Sequence, residues 1–261
     1  MINSFKLTTN NFGMKMKVYL FQIDDILIDT GPCSQGKEVR SILKEHPIKR
    51  VVHTHHHEDH TGNSPWVENH LKIPQWIHPL GVKLCEESTK LPFYRAAIWN
   101  NRKAFHPLAL EGPYIETTSH RLKVVHTPGH AEDHIVLMDE KNGLCFTGDL
   151  YLHHHPTSNF SFESVPEIIR SLDKTLAHRF QDIYCSHRGY IEDGRKLLEQ
   201  KREYLLRLQE KVTTRFQEGK SIRRIRKELF PKNKMFQYAS FFENSPIHTV
   251  KSIITDVNEK G

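Results

Sequence analysis

Thr54-His55-His56-His57-Glu58-Asp59-His60 sets four imidazoles and two carboxylates within seven residues. Imidazoles packed this densely repel one another when protonated and add little to a core, so the segment reads as a metal-binding cluster. Three further residues have the same chemistry. His130 ends Thr127-Pro128-Gly129-His130, Asp149 ends Phe146-Thr147-Gly148-Asp149, and His187 lies in Ser186-His187-Arg188-Gly189. Alone, His130 or His187 is more often a packed histidine than a ligand, and Asp149 a turn aspartate at a strand end. With His55, His57, Asp59 and His60 they make seven candidate ligands. Mixed imidazole and carboxylate donors suit zinc, with iron or manganese as the other candidates, whereas an oxygen-only set would point to magnesium or calcium. Seven donors exceed what one tetrahedral ion with an open position takes. Two ions account for the number: His55, His57 and His130 on one, Asp59, His60 and His187 on the other, and Asp149 bridging with its two oxygens.

Four of these motifs directly follow an apolar strand pattern. Val51-Val52 leads into the histidine cluster, Val124-Val125 towards His130, Leu144-Cys145-Phe146 to Asp149, and Ile183-Tyr184-Cys185 to His187. Loops leaving strand ends on a rigid sheet are where layered α/β proteins build sites. Around them, Val18 to Ile28 reads as a β-hairpin turning at Asp24-Asp25 and ended by the turn Asp29-Thr30-Gly31-Pro32. Helical spacing is predicted over Gly36 to Glu45, from near Gly62 through Trp66, after Pro79 through Glu87, and over Val165 to His178. Short strands are predicted at Lys49 to His53, Pro74 to His78 and His120 to Val125. A hairpin turns at Lys141-Asn142-Gly143, and Asp182 to Cys185 is the last strand. Leu91 to Phe105, rich in aromatics, reads as a helical insertion. Beyond Gly189 the pattern becomes helical, with a long helix through Leu197 to Leu208, a shorter one stopped by Pro231, and a last one opened by Pro246.

The 261 residues suffice for one large domain with a small appendage. A division at 1–190 and 191–261 follows the change in pattern. Cys33, Cys85, Cys145 and Cys185 are far apart and form no C-x-x-C pair, which fits reduced, buried thiols. No run approaches the length needed to cross a bilayer, and the N-terminus lacks the pattern of a signal peptide. A cytoplasmic protein with no membrane partner is expected. The net charge of +6 is concentrated partly between Arg195 and Lys234. Such a run is usually a solvated helix face, but it also offers a surface for RNA.

These motifs are similar to those of the metallo-β-lactamase superfamily. The cluster from Thr54 to His60 matches its T-H-x-H-x-D-H signature. The segments ending at His130 and Asp149 and the one around His187 match its later motifs in order. Ile26-Leu27-Ile28-Asp29-Thr30-Gly31 resembles its first hairpin. The resemblance spans about residues 15 to 190. It implies an α/β fold, a four-layer αββα sandwich with the metals at one edge of the sheets, here followed by a small helical C-terminal domain. It implies hydrolysis by a hydroxide bridging two zinc ions, the seven ligand roles above, and Asp59 as the residue that orients the hydroxide and shuttles its proton. His56, between two ligands, is expected to point away from the metals. His134 is expected to pack or orient a neighbour, and His153-His154-His155 to form a surface loop near the site mouth.

Within the superfamily the leading expectation is cleavage of a small thioester, as in glyoxalase II relatives, or of a lactone. The alternative is a lactamase-like endoribonuclease that binds RNA through the basic helices. No inserted nuclease domain lies between Asp149 and His187. Redox members of the fold fit less well, since the di-iron ones usually carry a carboxylate where His57 stands. β-Lactam hydrolysis is disfavoured by Asp149 itself.

Overall fold

Alternation along the strands determines how the molecule is layered. In the computed structural model, which describes residues 2–11 and 14–260, the first sheet runs in chain order. It comprises β1 (Ile2–Asn11), β2 (Met14–Ile23), β3 (Ile26–Ile28), β4 (Arg50–Val52), β5 (Gln75–Ile77) and β6 (Leu108–Ala109). The first three strands are antiparallel, and from β3 onward the pairing is parallel. Between the strands lie α1 (Gly36–Glu45), α2 (Glu58–Thr61), α3 (Ser64–Trp66), α4 (Pro79–Cys85) and α5 (Phe93–Trp99). The second sheet has the order β13-β12-β10-β9-β8-β7, built from β7 (Tyr114–Glu116), β8 (Arg121–His126), β9 (Ile135–Asp139), β10 (Leu144–Gly148), β12 (Asp182–Cys185) and β13 (Gly189–Ile191).

On β3, Ile26 and Ile28 point into a core shared with the second sheet, while Leu27 points to the opposite face among Val39 and Leu43 of α1. On β9, Ile135 and Leu137 face the first sheet, while Val136 and Met138 face the outer helices. This period of two buries both faces of both sheets. The result is helix, sheet, sheet, helix: the expected four layers.

The outer layer on the second sheet is α6 (Val165–Leu176) with α7 (Gly194–Gln217), α8 (Ile222–Leu229) and α10 (Pro246–Lys260). Leu198, Leu205 and Val212 of α7 and Val250 and Ile253 of α10 share one core with Val136, Ile169 and Leu172. The change in sequence character near residue 190 is therefore spanned by continuous packing. The short helix α9 (Met235–Ala239) and a two-stranded ribbon of β11 (Asn159–Phe160) with β14 (Asn244–Ser245) tie the tail to the loop after Asp149. No helix among the described residues is long and apolar enough to cross a membrane.

Several elements depart from the sequence expectation. The helix read from Gly62 through Trp66 is confined to Ser64–Trp66, and a separate helical turn, Glu58–Thr61, precedes it and carries Asp59 and His60. Within Leu91 to Phe105 only Phe93–Trp99 is helical, because Asn100 leaves the helix at φ +61°. Asp182 to Cys185 is not the last strand: β13 pairs back on it, and β14 follows later.

Candidate metal centre

The four strand ends meet at one edge of the sandwich. His55 and His57 lie in the loop after β4, Asp59 and His60 on α2, His130 after β8, Asp149 after β10, and His187 between β12 and β13. Three ligand-like groups form there: His55 with His57 and His130, His55 with His60 and Asp149, and Asp59 with His60 and His187. His57 Nδ1 is 3.0 Å from His55 Nε2 and 3.1 Å from His130 Nε2. His187 Nε2 is 3.3 Å from Asp59 Oδ2, and His60 Nε2 is 3.8 Å from the same oxygen. Asp149 stands between the two sets. Its Oδ2 is 3.4 Å from His130 Nε2 and 3.3 Å from His187 Nε2, and its Oδ1 is 3.4 Å from His60 Nε2.

Donors bound at about 2.1 Å around a tetrahedral ion stand ~3.4 Å from one another. The observed separations match that edge length. The buried atoms supply a second test, since His60 Nε2 and Asp149 Oδ1 are sealed from solvent and have no hydrogen-bond partner. A buried polar atom without a partner is costly, and a cation between these two would satisfy both. All seven residues named from the sequence are thus brought together with donor atoms converging, and the residues present fit a pair of metal ions.

A set of partners fixes the ring orientations. Asp29 Oδ2 accepts from His60 Nδ1 at 2.8 Å, Glu163 Oε1 from His130 Nδ1 at 2.7 Å, and the Lys17 carbonyl from His187 Nδ1 at 2.7 Å. Each bond leaves Nε2 free to face the centre. Asp29 also accepts from the Thr54 N–H and hydroxyl at 2.8 and 2.9 Å. His134 Nε2 accepts from the Asp149 N–H at 3.0 Å, while its Nδ1 meets Thr127 Oγ1 at 2.8 Å. It orients Asp149, as expected of an orienting neighbour. His56 turns outward to Asp133 Oδ1 at 2.7 Å, also as expected.

Asp29, Glu163 and Lys17 are not among the candidates that the sequence supplies. Asp29 follows the apolar strand β3 as Asp149 follows β10, and that is the one available signal.

Burial and crowding set the charges. Burial, followed by the neighbouring imidazoles, holds His55 and His57 well below the usual imidazole range. Burial opposes charge on His60 and His187 too, yet the carboxylates of Asp29, Asp149 and Asp59 hold His60 well above that range, and Asp149 and Asp59 do the same for His187. Burial would raise Asp149, but His187 and His60 hold it well below the usual carboxylate range. On one side His55 and His57 are therefore ready to bind a cation as neutral imidazoles, while burial of their neighbour His130 is outweighed by its hydrogen bond to Glu163 and by Asp149, which raise it. On the other, a cation would replace protons already drawn in by carboxylates.

Above the donors is a cavity of about 520 Å³. Tyr94 and Trp99 of α5, Phe160, Phe162, Phe236, Leu152, Lys17 and Arg188 are among its walls. The aromatic segment from Leu91 and the loop after Asp149 both contribute. The His153–His155 triplet does not line this cavity. His153 borders a side cavity of about 100 Å³ behind His130 and Asp149, and its ring stacks on His154 with centroids 4.6 Å apart.

Residues 23–206 match the family model of the metallo-beta-lactamase superfamily. A beta-lactamase-like protein 2 homolog from Drosophila melanogaster is 31% identical over 182 residues, covering 64% of this chain and 56% of that protein. An atrochrysone carboxyl ACP thioesterase from Aspergillus chevalieri is 27% identical over 205 residues, covering 76% and 58%. A hydroxyacylglutathione hydrolase from Aliivibrio fischeri MJ11 is 24% identical over 204 residues, covering 75% and 70%. The chain spans little more than half the length of the first two. A metallo-beta-lactamase family protein from Thermus thermophilus superposes over 99% of this chain and 94% of its own, with a TM-score of 0.70 at 20% identity. Fold, ligand motifs and family model agree: the chain belongs to the metallo-beta-lactamase superfamily.

Proposed function

We propose that this protein is a metal-dependent hydrolase with two ions, zinc by its donor chemistry, that cleaves a small thioester or lactone-like substrate. The observation that carries this reading is the placing of Asp149 between two histidine sets at 3.3–3.4 Å, on the floor of a cavity of small-molecule size. When bound, two divalent cations acidify a water towards neutrality and polarise a carbonyl oxygen. The chain's own residues do the rest. Asp59 borders the cavity and can accept the proton of the attacking water. Asp149 sets the spacing between the histidine sets. Phe160, Phe162 and Phe236 keep bulk water from the reacting carbonyl. A thioesterase and a hydroxyacylglutathione hydrolase among the relatives support an acyl-transfer substrate.

The RNA reading has less support. Glu228 alone engages Arg215, Lys220 and Arg224, so much of the basic tail is already paired. Elemental analysis of purified protein, followed by a panel of thioesters, lactones, phosphodiesters and RNA on the same sample, tests the proposal. Two equivalents of metal with thioester or lactone turnover are expected. Full turnover by metal-free protein, or turnover of RNA alone, would overturn it.

A further inference from the structure

The cavity above the metal centre has two chemically different walls, each attached to a different histidine set. On the Asp59, His60 and His187 side the wall is cationic. Lys15 and Lys17 are two apart on β2 and so lie on one face of the strand. Lys17 is fixed to the centre through its carbonyl, which accepts from His187 Nδ1 at 2.7 Å. Arg188 follows His187 directly, and its Nε donates to the Leu152 carbonyl at 3.0 Å. Among the described residues none of the three cations forms an ion pair. All three border the cavity.

On the His57 and His130 side the wall is aromatic. The Phe162 ring packs edge-on against His57 with centroids 5.3 Å apart, and Phe160 stacks on Phe162 at 5.2 Å. Phe236 meets Phe160 edge-on at 6.3 Å and Tyr94 at 6.4 Å.

The other charges lining the cavity are committed. Arg95 donates to both oxygens of Glu58 at 2.8 Å and reaches Glu243 at 3.5 Å. Its guanidinium lies 5.7 and 5.6 Å from the Phe160 and Phe162 ring centres, so it braces the aromatic wall rather than meeting a ligand. Asp59 and Asp149 face the ligand histidines. What remains free is a one-sided field of three cations facing three phenyl rings across the reactive centre.

Building on the acyl-hydrolase reading above, we propose that the substrate is a thioester with an apolar, ring-bearing acyl group held by Phe160, Phe162 and Phe236, and a thiol arm bearing a carboxylate or phosphate held by Lys15, Lys17 and Arg188. Water adds to the thioester carbonyl carbon and the C–S bond breaks. The acyl group leaves as a carboxylic acid that loses its proton, and the sulfur leaves as a thiolate that takes one up. The cationic wall thus sits beside the leaving group and lowers the cost of its charge as well as binding its arm.

The test uses zinc-loaded protein and benzoyl thioesters of glutathione, coenzyme A and N-acetylcysteamine, which carry carboxylate, phosphate and uncharged arms. Equilibrium binding of the matching S-benzyl thioethers, which have no carbonyl to cleave, is measured in parallel. The anionic arms are expected to be favoured over the neutral one by about 10-fold at low salt, as two or three exposed ion pairs together would give. The two anionic arms rank carboxylate against phosphate. The Lys15→Gln/Lys17→Gln double variant and the Arg188→Gln variant should each lower the anionic-to-neutral ratio, in kcat/KM and in binding, and high salt should do the same to the parent. Equal binding of charged and neutral thioethers, or an unchanged ratio in both variants, overturns the assignment even if all three thioesters are cleaved. Selective binding of the anionic thioethers without cleavage of any thioester upholds the cationic wall and overturns the hydrolytic reading instead.

Discussion

Asp29 and His60 are joined by a 2.8 Å hydrogen bond from His60 Nδ1 to Asp29 Oδ2, and both side chains are buried at the end of β3. Asp29 adopts φ +62°, a conformation that aspartate tolerates better than most residues. The same carboxylate holds Thr54, the residue that leads into the histidine cluster. Two segments of the centre are thus positioned by one side chain that itself touches no substrate.

Asp29→Asn keeps the size and the backbone preference but replaces one acceptor oxygen with a donor. It is expected to weaken metal binding by about 10–100-fold, the usual effect of losing a ligand's hydrogen-bond partner. Metal titration followed by calorimetry checks this. Binding equal to that of the parent would show that His60 needs no help from Asp29.

Asp149→Ala and His57→Ala test whether Asp149 serves both histidine sets and His57 one. Asp149 approaches histidines of both sets, whereas among the described candidate ligands His57 is near His55 and His130. Asp149→Ala should lower the occupancy of both ions. His57→Ala should remove about one equivalent and retain the ion near His60 and His187. Elemental analysis after dialysis reads the difference, and two full equivalents in either variant would contradict the assignment.

The Arg95–Glu58 pair makes a sharp prediction about stability. Glu58 is 2% exposed, and burial pushes its carboxyl up, while the Arg95 guanidinium opposes that shift. Arg95→Met leaves the carboxylate buried without its partner and should cost about 3–5 kcal/mol. Arg95→Met/Glu58→Gln should recover part of that loss. Urea unfolding of the four members of the cycle measures the coupling. Additive losses would mean that the pair contributes nothing jointly.

The candidate ligands are legible in the sequence because each lies in a segment that leaves an apolar strand, so local sequence carries both the donor and its position. Their supports are not. Asp29 lies 31 residues from His60 and Glu163 lies 33 from His130, so no spacing links them before the fold closes. The strands also divide by how local their signal is. Both strands of the β9–β10 hairpin are evident because all of β9 is buried and Gly143 makes the turn at φ +71°. Strand β1 escapes the sequence reading because Asn, Ser, Lys and Thr interrupt its apolar residues, and it is held by pairing along its whole length with β2. Strand β13 is three residues long and exists through pairing with β12. In the tail, helical period reveals α7, α8 and α10, but α9 and the β11–β14 ribbon depend on contacts with the loop after Asp149.

Lys201, which borders the side cavity behind His130 and Asp149, gives the molecule a further pH dependence. It is 5% exposed on α7, and its Nζ donates to the Leu150 carbonyl at 2.6 Å. Burial pushes it down to about 8 from 10.5, with Glu163 opposing the shift. Below about pH 8 the lysine is charged in both folded and unfolded chains, and the full cost of burying that charge is present. Between pH 8 and 10.5 the unfolded chain binds more protons than the folded one, so this residue's contribution to stability rises with pH. The difference amounts to about 3 kcal/mol across that window. Lys201→Met preserves most of the packing and removes the titration. Other lysines and tyrosines also titrate there, so the quantity to measure is the gap in unfolding free energy between parent and variant at about pH 7.5 and about pH 10. The gap should shift by about 2–3 kcal/mol in favour of the parent at the higher pH. A gap independent of pH would show that Lys201 keeps its solution protonation behaviour inside the fold.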